Sequence, residues 1–324
     1  MKKILVTGCA GYIGSVLTSQ LLNKGYDVRG IDNLMFGGES LISVIANPNF
    51  DFIKGDLRDE VIIKKSLEGV DGVVHLAAIV GDPACSQQPQ LAEEINGKVS
   101  KMLFDNSIKS ERIKRFIFSS TCSNYGKMKG DTFVTETSEL NPVSLYARLK
   151  VEFENYILKS NYRKDLCATA LRFSTVYGMS PRMRFDLTVN EFIKDATLGR
   201  ELQIFGEQFW RPYCHVVDLA RACILVLESE ISKVNCEVFN VGDTNENYQK
   251  KMLADEVLKI IPTAKISFVK KNEDPRDYRV DFSKIANKLN FVITRRVIDG
   301  ISEIHRAIDN GIISDPDSAR YKNI

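Results

Sequence analysis

Lys3-Ile4-Leu5-Val6-Thr7-Gly8-Cys9-Ala10-Gly11-Tyr12-Ile13-Gly14 opens the chain with a short apolar run that breaks into glycines at 8, 11 and 14. The run has the length of a buried strand. Val16, Leu17, Leu21 and Leu22, at helical spacing and closed by Gly25, predict a helix over Ser15 to Lys24. A strand, a G-x-x-G-x-x-G loop and a helix in that order suit a dinucleotide. The glycines allow a tight turn, close approach of backbone to pyrophosphate, and close packing of helix on strand. The helix N-terminus adds N–H donors and the positive end of its dipole. Gly8, Gly11, Tyr12, Ile13 and Gly14 are therefore the first candidate cofactor residues. A glycine triplet alone could be an ordinary turn, and it is the strand–loop–helix context that favours the nucleotide.

The same rhythm continues outward. Strand-like runs at Asp27 to Ile31, Phe50 to Ile53, Gly72 to Leu76, Arg115 to Ser119 and Ala168 to Phe173 alternate with helix-length segments. That alternation predicts an α/β fold, a Rossmann-type doubly wound parallel sheet covered on both faces. After about Tyr177 the pattern loosens, with loops at Gly178 to Arg184 and Asn272 to Arg279. The expected organisation is an NAD-binding domain over 1–177, to which 212–245 returns, and a smaller mixed substrate lobe over 178–324, mainly 178–211 and 246–324. The return is read from Arg211 to Leu227, where His215 to Leu219 leads into a helical apolar pattern at Ala222, Val226 and Leu227.

Bulk properties narrow the function classes. The net charge is +2, from 44 basic and 42 acidic residues without a long run of either sign, so neither a nucleic-acid nor a membrane partner is expected. Anionic ligands must then be caught by local groups. The first apolar stretch breaks at Gly8, too early for a signal peptide or a membrane span, and the expected location is cytoplasmic. Seven cysteines without a Cys-x-x-Cys spacing read as reduced thiols, and His75, His215 and His305 are too scattered to suggest a metal site.

Asp32 ends the second strand at close to the roughly 20-residue spacing at which a carboxylate meets the adenosine ribose 2′-hydroxyl. A 2′-phosphate would face like charge there, and Arg29 is not placed as a phosphate clamp, so NAD is favoured over NADP. The alternative for Asp32 is a loop-capping residue. Asp56, after the third strand, could be a helix N-cap on spacing alone. Tyr146 and Lys150 stand at i and i+4 on one helix face, and Thr121 closes a buried strand at the sheet end where such folds hold ligands. A phenol ordinarily titrates near 10, so base action at neutral pH needs about 4 kcal/mol from its surroundings. Lys150 and a positive nicotinamide ring are the expected sources. Tyr146 would take a proton from a sugar hydroxyl while Thr121 hydrogen-bonds the same oxygen.

With these residues assembled, the sequence resembles the extended short-chain dehydrogenase/reductases, and among them the NAD-dependent epimerase/dehydratase family, which includes the UDP-galactose 4-epimerases. The resemblance rests on Thr7 to Gly14, Asp32-Asn33-Leu34, Gly55 to Arg58, His75 to Ala78, Asn96, Ser119-Ser120-Thr121, Tyr125-Gly126, Tyr146 to Lys150, Leu171-Arg172-Phe173 and Arg211 to Asp218. It implies that Asp56 and Leu57 hold the adenine, that Ala77 and Ala78 line the cofactor channel, and that Lys150 binds the nicotinamide ribose. Asn33, Leu76 and Asn96 join the cofactor set on the same ground. It further implies that Arg211 contacts a substrate diphosphate, although the residues alone leave open a surface cation beside Trp210. Arg276, in Asp-Pro-Arg-Asp-Tyr at 274–278, stands where relatives carry another phosphate-binding arginine, with altered spacing. Arg184, in the arginine and methionine loop opening the second lobe, is the further candidate for the diphosphate.

Departures from the family sharpen the expectation. Dehydratases of this type place an acidic residue after the threonine, whereas Cys122-Ser123 follows Thr121 here. Met179 to Asn190 differs from the galactose epimerases and is similar to a subgroup containing bacterial GDP-manno-heptose 4-dehydrogenases. The leading expectation is a nucleotide-sugar epimerase acting through a transient 4-keto sugar. The alternative is a nucleotide-sugar 4-dehydrogenase or ketoreductase, for example on a GDP-sugar, and a third is a non-catalytic NAD-sensing protein. A homodimer is expected through the helix of Tyr146 and Lys150 and the helix from about Gly97 to Lys109. Val99, Met102, Leu103 and Asn106, with Phe153 and Ile157, form apolar stripes there, although core packing would also produce them.

Overall fold

Ile4, Leu5 and Val6 are all buried on consecutive positions, which a strand achieves when both faces of its sheet are covered. The computed structural model describes residues 2–127, 132–159, 165–270 and 276–323. Positions 272–275, with the Asp274-Pro275 of the motif around Arg276, lie outside the described residues. In chain order the strands are β1 (Lys3–Thr7), β2 (Asp27–Asp32), β3 (Phe50–Lys54), β4 (Gly72–His75), β5 (Arg115–Thr121), β6 (Phe133–Val134) and β7 (Cys167–Phe173). They continue with β8 (Thr175–Tyr177), β9 (Glu201–Phe205), β10 (Trp210–His215), β11 (Glu237–Val241), β12 (Asn247–Gln249), β13 (Lys265–Val269) and β14 (Arg279–Val280).

Seven of them form one parallel sheet in the order β11-β7-β5-β4-β1-β2-β3. The expected Rossmann-type α/β architecture is therefore present. Strand order reverses between β1 and β4, where Thr7 pairs with His75, and the crevice at such a switch point is where open α/β sheets bind ligands. The Tyr12–Asn23 helix begins three residues ahead of the expected Ser15, because Gly11 already stands as an extended N-cap. It stops at Gly25, whose φ of 84° favours glycine.

Around the other side, β8, β10 and β12 make a three-stranded sheet, and β9–β13 and β6–β14 pair as parallel two-stranded ribbons. The stretch Arg211 to Leu227 thus divides. Its strand, β10, belongs to the small sheet, while the Val216–Glu228 helix packs against the Tyr12–Asn23 helix and leads to β11 in the large one. β8, ahead of residue 178, also pairs within the small sheet.

The stripes expected to face a second copy are used inside one chain. Val99, Leu103, Phe153 and Ile157 are buried against Phe116 and Phe118 of β5, with Phe104–Phe116 and Phe118–Phe153 rings edge to face at 4.8 and 4.7 Å. The sheet uses that apolar surface for its own cover, with aromatic rings packed edge to face, while Met102 of the same stripe is half-buried at its margin. The helix expected from Gly97 starts in a π-helical stretch, Glu93–Val99, and becomes α-helical at Ser100–Lys109. Among the described residues no helix is long and apolar enough to cross a membrane, and no group of three or more His, Cys, Asp or Glu side chains is placed to hold a metal ion.

Candidate active site

A cleft of about 520 Å³ runs along the carboxyl ends of β1, β2, β4 and β5 and under the loops of the second lobe. The glycine loop forms one end. Gly8 has a φ of 71° and donates its N–H to the Ile31 carbonyl at 2.8 Å, and a Cβ there would stand 3.0 Å from the Ala77 backbone. A Cβ on Gly14 would fall 2.0 Å from the Gly8 carbonyl oxygen, so the helix can lie this close to the loop only with glycine. Tyr12, Ile13, Leu76, Ala77 and Ala78 line the same end. The Tyr12 hydroxyl donates to the Gly178 carbonyl, which ties the loop to the second lobe.

Asp32 also lines the cleft, its carboxylate accepting from the N–H groups of Ala10 at 3.1 Å and Leu34 at 2.8 Å. Burial raises its pKa and those two N–H groups pull the other way. A carboxylate has about four acceptor positions, so room for a ribose hydroxyl remains. Asn33 caps its own loop by accepting from Met35 N–H at 3.0 Å and lines the cleft as well. Asp56 and Leu57 are in the wall, and hydrogen bonds from Arg58 hold the Asp56 carboxyl below the usual range. The helix N-cap suggested by spacing for Asp56 is instead Asp59, which accepts from Val61 N–H at 2.8 Å. Asn96 does not line the cleft. It is buried, accepting from Ile79 N–H at 2.9 Å and donating to the Ile79 carbonyl at 2.8 Å, and so shapes the cleft from behind. The glycine cradle, the Asp32 carboxylate and the free helix N-terminus fit an adenine dinucleotide in kind and in order.

Thr121, Tyr146 and Lys150 come together on the floor of the cleft. Tyr146 and Lys150 project from one side of the Leu145–Lys159 helix, and Thr121 ends β5 with Oγ1 accepting from Ser123 N–H at 3.1 Å. Lys150 Nζ donates to the Ser119 carbonyl at 2.8 Å and lies 4.7 Å from the Phe118 ring and 5.7 Å from the Tyr146 ring. Burial pushes its ammonium down to about 7. The expected lowering of Tyr146 by Lys150 is not what the protein alone produces. Burial pushes the Tyr146 phenol up, Cys85, Asp82 and Tyr278 push the same way, and Arg184 pulls against them.

Behind the floor lies a buried polar network that sequence reasoning missed. Glu154 accepts from Ser120 Oγ at 2.6 Å and pairs with Arg172 at 2.5 Å, both side chains at most 4% exposed. Arg172 also donates to the Tyr125 hydroxyl at 2.8 Å, which donates to Asn240 at 2.7 Å. Glu154 stands one turn beyond Lys150, so the network joins the helix of Tyr146 and Lys150 to the strand end that carries Thr121. His75 is a neutral part of the frame: it bonds Thr7 at 2.8 Å and Ser100 at 3.0 Å, and burial pushes its imidazole down to about 3.

The three expected diphosphate arginines are divided. Arg184 and Arg276 line the cleft, Arg184 paired with Asp186 at 2.6 Å and Arg276 with Asp82 at 2.9 Å. Arg211 is not among the lining residues. It donates to the Trp210 carbonyl at 2.7 Å and stacks 5.4 Å from the Tyr278 ring. Arg182, not singled out from the sequence, does line the cleft.

The profile described as the NAD dependent epimerase/dehydratase family matches residues 4–242. A UDP-glucose 4-epimerase of Corynebacterium glutamicum is 31% identical over 268 residues, covering 78% of this chain and 78% of that protein. Two crystal structures superpose with a TM-score of 0.83 and 29% identity. One is the UDP-glucose 4-epimerase of Thermotoga maritima with UDP-glucose, covering 96% of this chain and 99% of that one. The other is the UDP-glucuronic acid 4-epimerase of Bacillus cereus in complex with UDP-glucuronic acid and NAD, covering 95% and 99%.

Proposed function

The chain belongs to the NAD-dependent epimerase/dehydratase family, and on that premise we propose that it is a nucleotide-sugar 4-epimerase working through a transient 4-keto sugar. The observation that carries this reading is the convergence of Thr121, Tyr146 and Lys150 on the floor of a cleft whose far end is the glycine cradle. Cys122 and Ser123 follow Thr121, and both lack the carboxyl that dehydration across C5 and C6 would use as acid and base. Oxidation and re-reduction at one carbon would need, besides NAD, only Thr121, Tyr146 and Lys150.

NAD supplies, when bound, the acceptor and then the donor of the hydride at the sugar carbon. The chain's own residues do the rest. Asp32 would take the adenosine ribose hydroxyl, Asp56 and Leu57 the adenine, and Lys150 the nicotinamide ribose. Tyr146 would receive the proton of the sugar 4-hydroxyl on its phenolic oxygen and return it after the sugar has turned over. Thr121 would hydrogen-bond the same sugar oxygen and fix its distance from Tyr146. Because burial holds the Tyr146 phenol up, its deprotonation depends on cationic charge brought beside it, and the site works as a base only once loaded.

The substrate diphosphate is assigned to Arg184, Arg276 and Arg211. In Arg184 and Arg276 a carboxylate, Asp186 or Asp82, occupies the guanidinium that phosphate oxygens would compete for. Arg211 would turn from Trp210 to join them. The Met179 to Asn190 segment, which differs from the galactose epimerases, favours a second reading, a 4-dehydrogenase or ketoreductase on the same substrate class.

Incubation of the NAD-loaded protein with UDP-, GDP-, CDP- and dTDP-sugars, followed by anion-exchange separation and mass spectrometry, decides between them. An epimerase gives a separable product of unchanged mass without accumulating reduced nicotinamide. A product lighter by two hydrogens with matching reduced nicotinamide means a dehydrogenase. No product from any sugar contradicts both.

A further inference from the structure

Arg182 is 6% exposed and lines the cleft, yet among the described residues no carboxylate forms an ion pair with its guanidinium. Nη2 donates to the Lys322 carbonyl at 2.9 Å, while Nε and Nη1 are buried with no hydrogen-bond partner among the described residues. Buried guanidinium groups are ordinarily paired and their N–H donors met, so a cleft-lining exception points to an anion. Burial, with Arg184 nearby, pushes even this strong base down to about 10, against the weaker opposite pull of Asp186.

Its anchors show which anion. Arg182 N–H donates to Ser180 Oγ at 3.3 Å, and Ser180 in turn donates to the Tyr12 carbonyl at 2.7 Å and lies 3.2 Å from Ser15 Oγ. Tyr12 opens the 12-residue helix after the glycine loop, a helix with no side-chain cap and no acidic residue in its first turn. On its other side the guanidinium lies 4.7 Å from the ring of Phe36, in the loop that follows Asp32. Arg182 is thus held between the helix end suited to a diphosphate and the loop beside the adenosine-ribose carboxylate.

The carboxy-terminal tail fixes it there. Tyr321 accepts from Phe185 N–H at 2.9 Å and packs edge to face on its ring at 5.5 Å, and the next carbonyl, of Lys322, is the one Arg182 holds. Asn323 then lines the cleft, its Oδ1 buried and unpartnered.

We propose that Arg182 is a ligand of the cofactor's diphosphate, positioned by the carboxy-terminal tail, and governs retention of NAD rather than capture of the sugar nucleotide. The proposal rests on the NAD reading above. A guanidinium in this place adds a planar pair of donors to the helix N-terminus from the opposite side of the diphosphate.

Calorimetric titration of cofactor-stripped protein with NAD, adenosine and UDP tests it. Arg182→Ala is expected to weaken NAD roughly 10- to 150-fold, the usual cost of a charged hydrogen-bond partner, and to leave adenosine and UDP unchanged. Arg182→Lys should recover part of the loss, since the charge remains and the planar fork does not. Ending the chain after Ser318 should weaken NAD in the same direction with Arg182 intact, which covers the case of an alanine variant that does not fold. Unchanged NAD affinity in Arg182→Ala overturns the proposal, as does an equal loss for adenosine or a loss for UDP alone. Failure of the unaltered protein to bind NAD would fall on the NAD reading itself, whereas a variant as tight as a binding parent falls on Arg182 alone.

Discussion

Removing the Glu154 carboxylate should damage stability and turnover together, for reasons visible in the network behind Thr121, Tyr146 and Lys150. Glu154→Ala leaves Arg172 with its counter-charge gone at a site where both side chains are at most 4% exposed. It also strips the acceptor from Ser120, whose hydroxyl lies 2.6 Å from the carboxylate. Breaking one member of a buried pair costs about 3–5 kcal/mol, most of it the remaining unpaired charge. Set against total stabilities of about 5–15 kcal/mol, that is a large part of what holds the chain folded. Urea unfolding followed by fluorescence gives the loss directly. Glu154→Gln, which keeps an acceptor but not the charge, should fall between the two proteins. Replacing Glu154 and Arg172 together by Met should cost less than Glu154→Ala, because no charge is left stranded. A loss under about 1 kcal/mol for Glu154→Ala, the range of an exposed pair, would refute this account of the network.

Other outcomes follow from the same geometry. Tyr146→Phe should leave NAD binding intact and lower turnover roughly 100-fold or more, and turnover near that of the parent would remove Tyr146 from the chemistry. Asp32→Ala should weaken NAD and narrow its preference over NADP; equal NAD affinity in a titration would leave Asp32 a loop residue. The Glu246 carboxyl is pushed up from 4.5 to about 7 by burial, against the pull of Val297 N–H. A folded pKa above the unfolded one gives stability that is fully present below about 4.5 and is lost as pH rises through 7. Glu246→Gln, which keeps an acceptor for Val297 N–H, should therefore gain stability relative to the parent between pH 5 and pH 8, and a flat difference across that range would contradict the burial argument.

Parts of this site are legible in the sequence because their signals are local. The glycine loop depends on neighbours within a dozen positions, and Tyr146 and Lys150 share a helix face by spacing alone. Glu154 was not legible, since on the same helix it reads as one more polar position, and its partner Arg172 comes from a different element, β7. Arg182 was hidden for a similar reason: its neighbours are Phe36 and Lys322, far away in the chain, and loops carry no periodicity to flag them. The helix stripes carry less information than the glycine loop. Spacing shows that a helix has an apolar side but not what covers it, and in this chain Phe116 and Phe118 of β5 cover the Leu103 and Phe153 side. Asn96 stood in a family motif, and its place behind Ile79 is set by a π-helical stretch that spacing does not announce.

The central claim, oxidation and re-reduction at one sugar carbon within a closed site, is tested most directly by running the reaction in deuterium oxide. Proton NMR of the product sugar nucleotide would then be read at C4. The account predicts an epimerised sugar whose C4 hydrogen is fully protium, because the hydrogen that leaves the carbon returns to it without meeting solvent. Deuterium at C4, or a keto sugar that accumulates with reduced nicotinamide in place of the epimer, would contradict it.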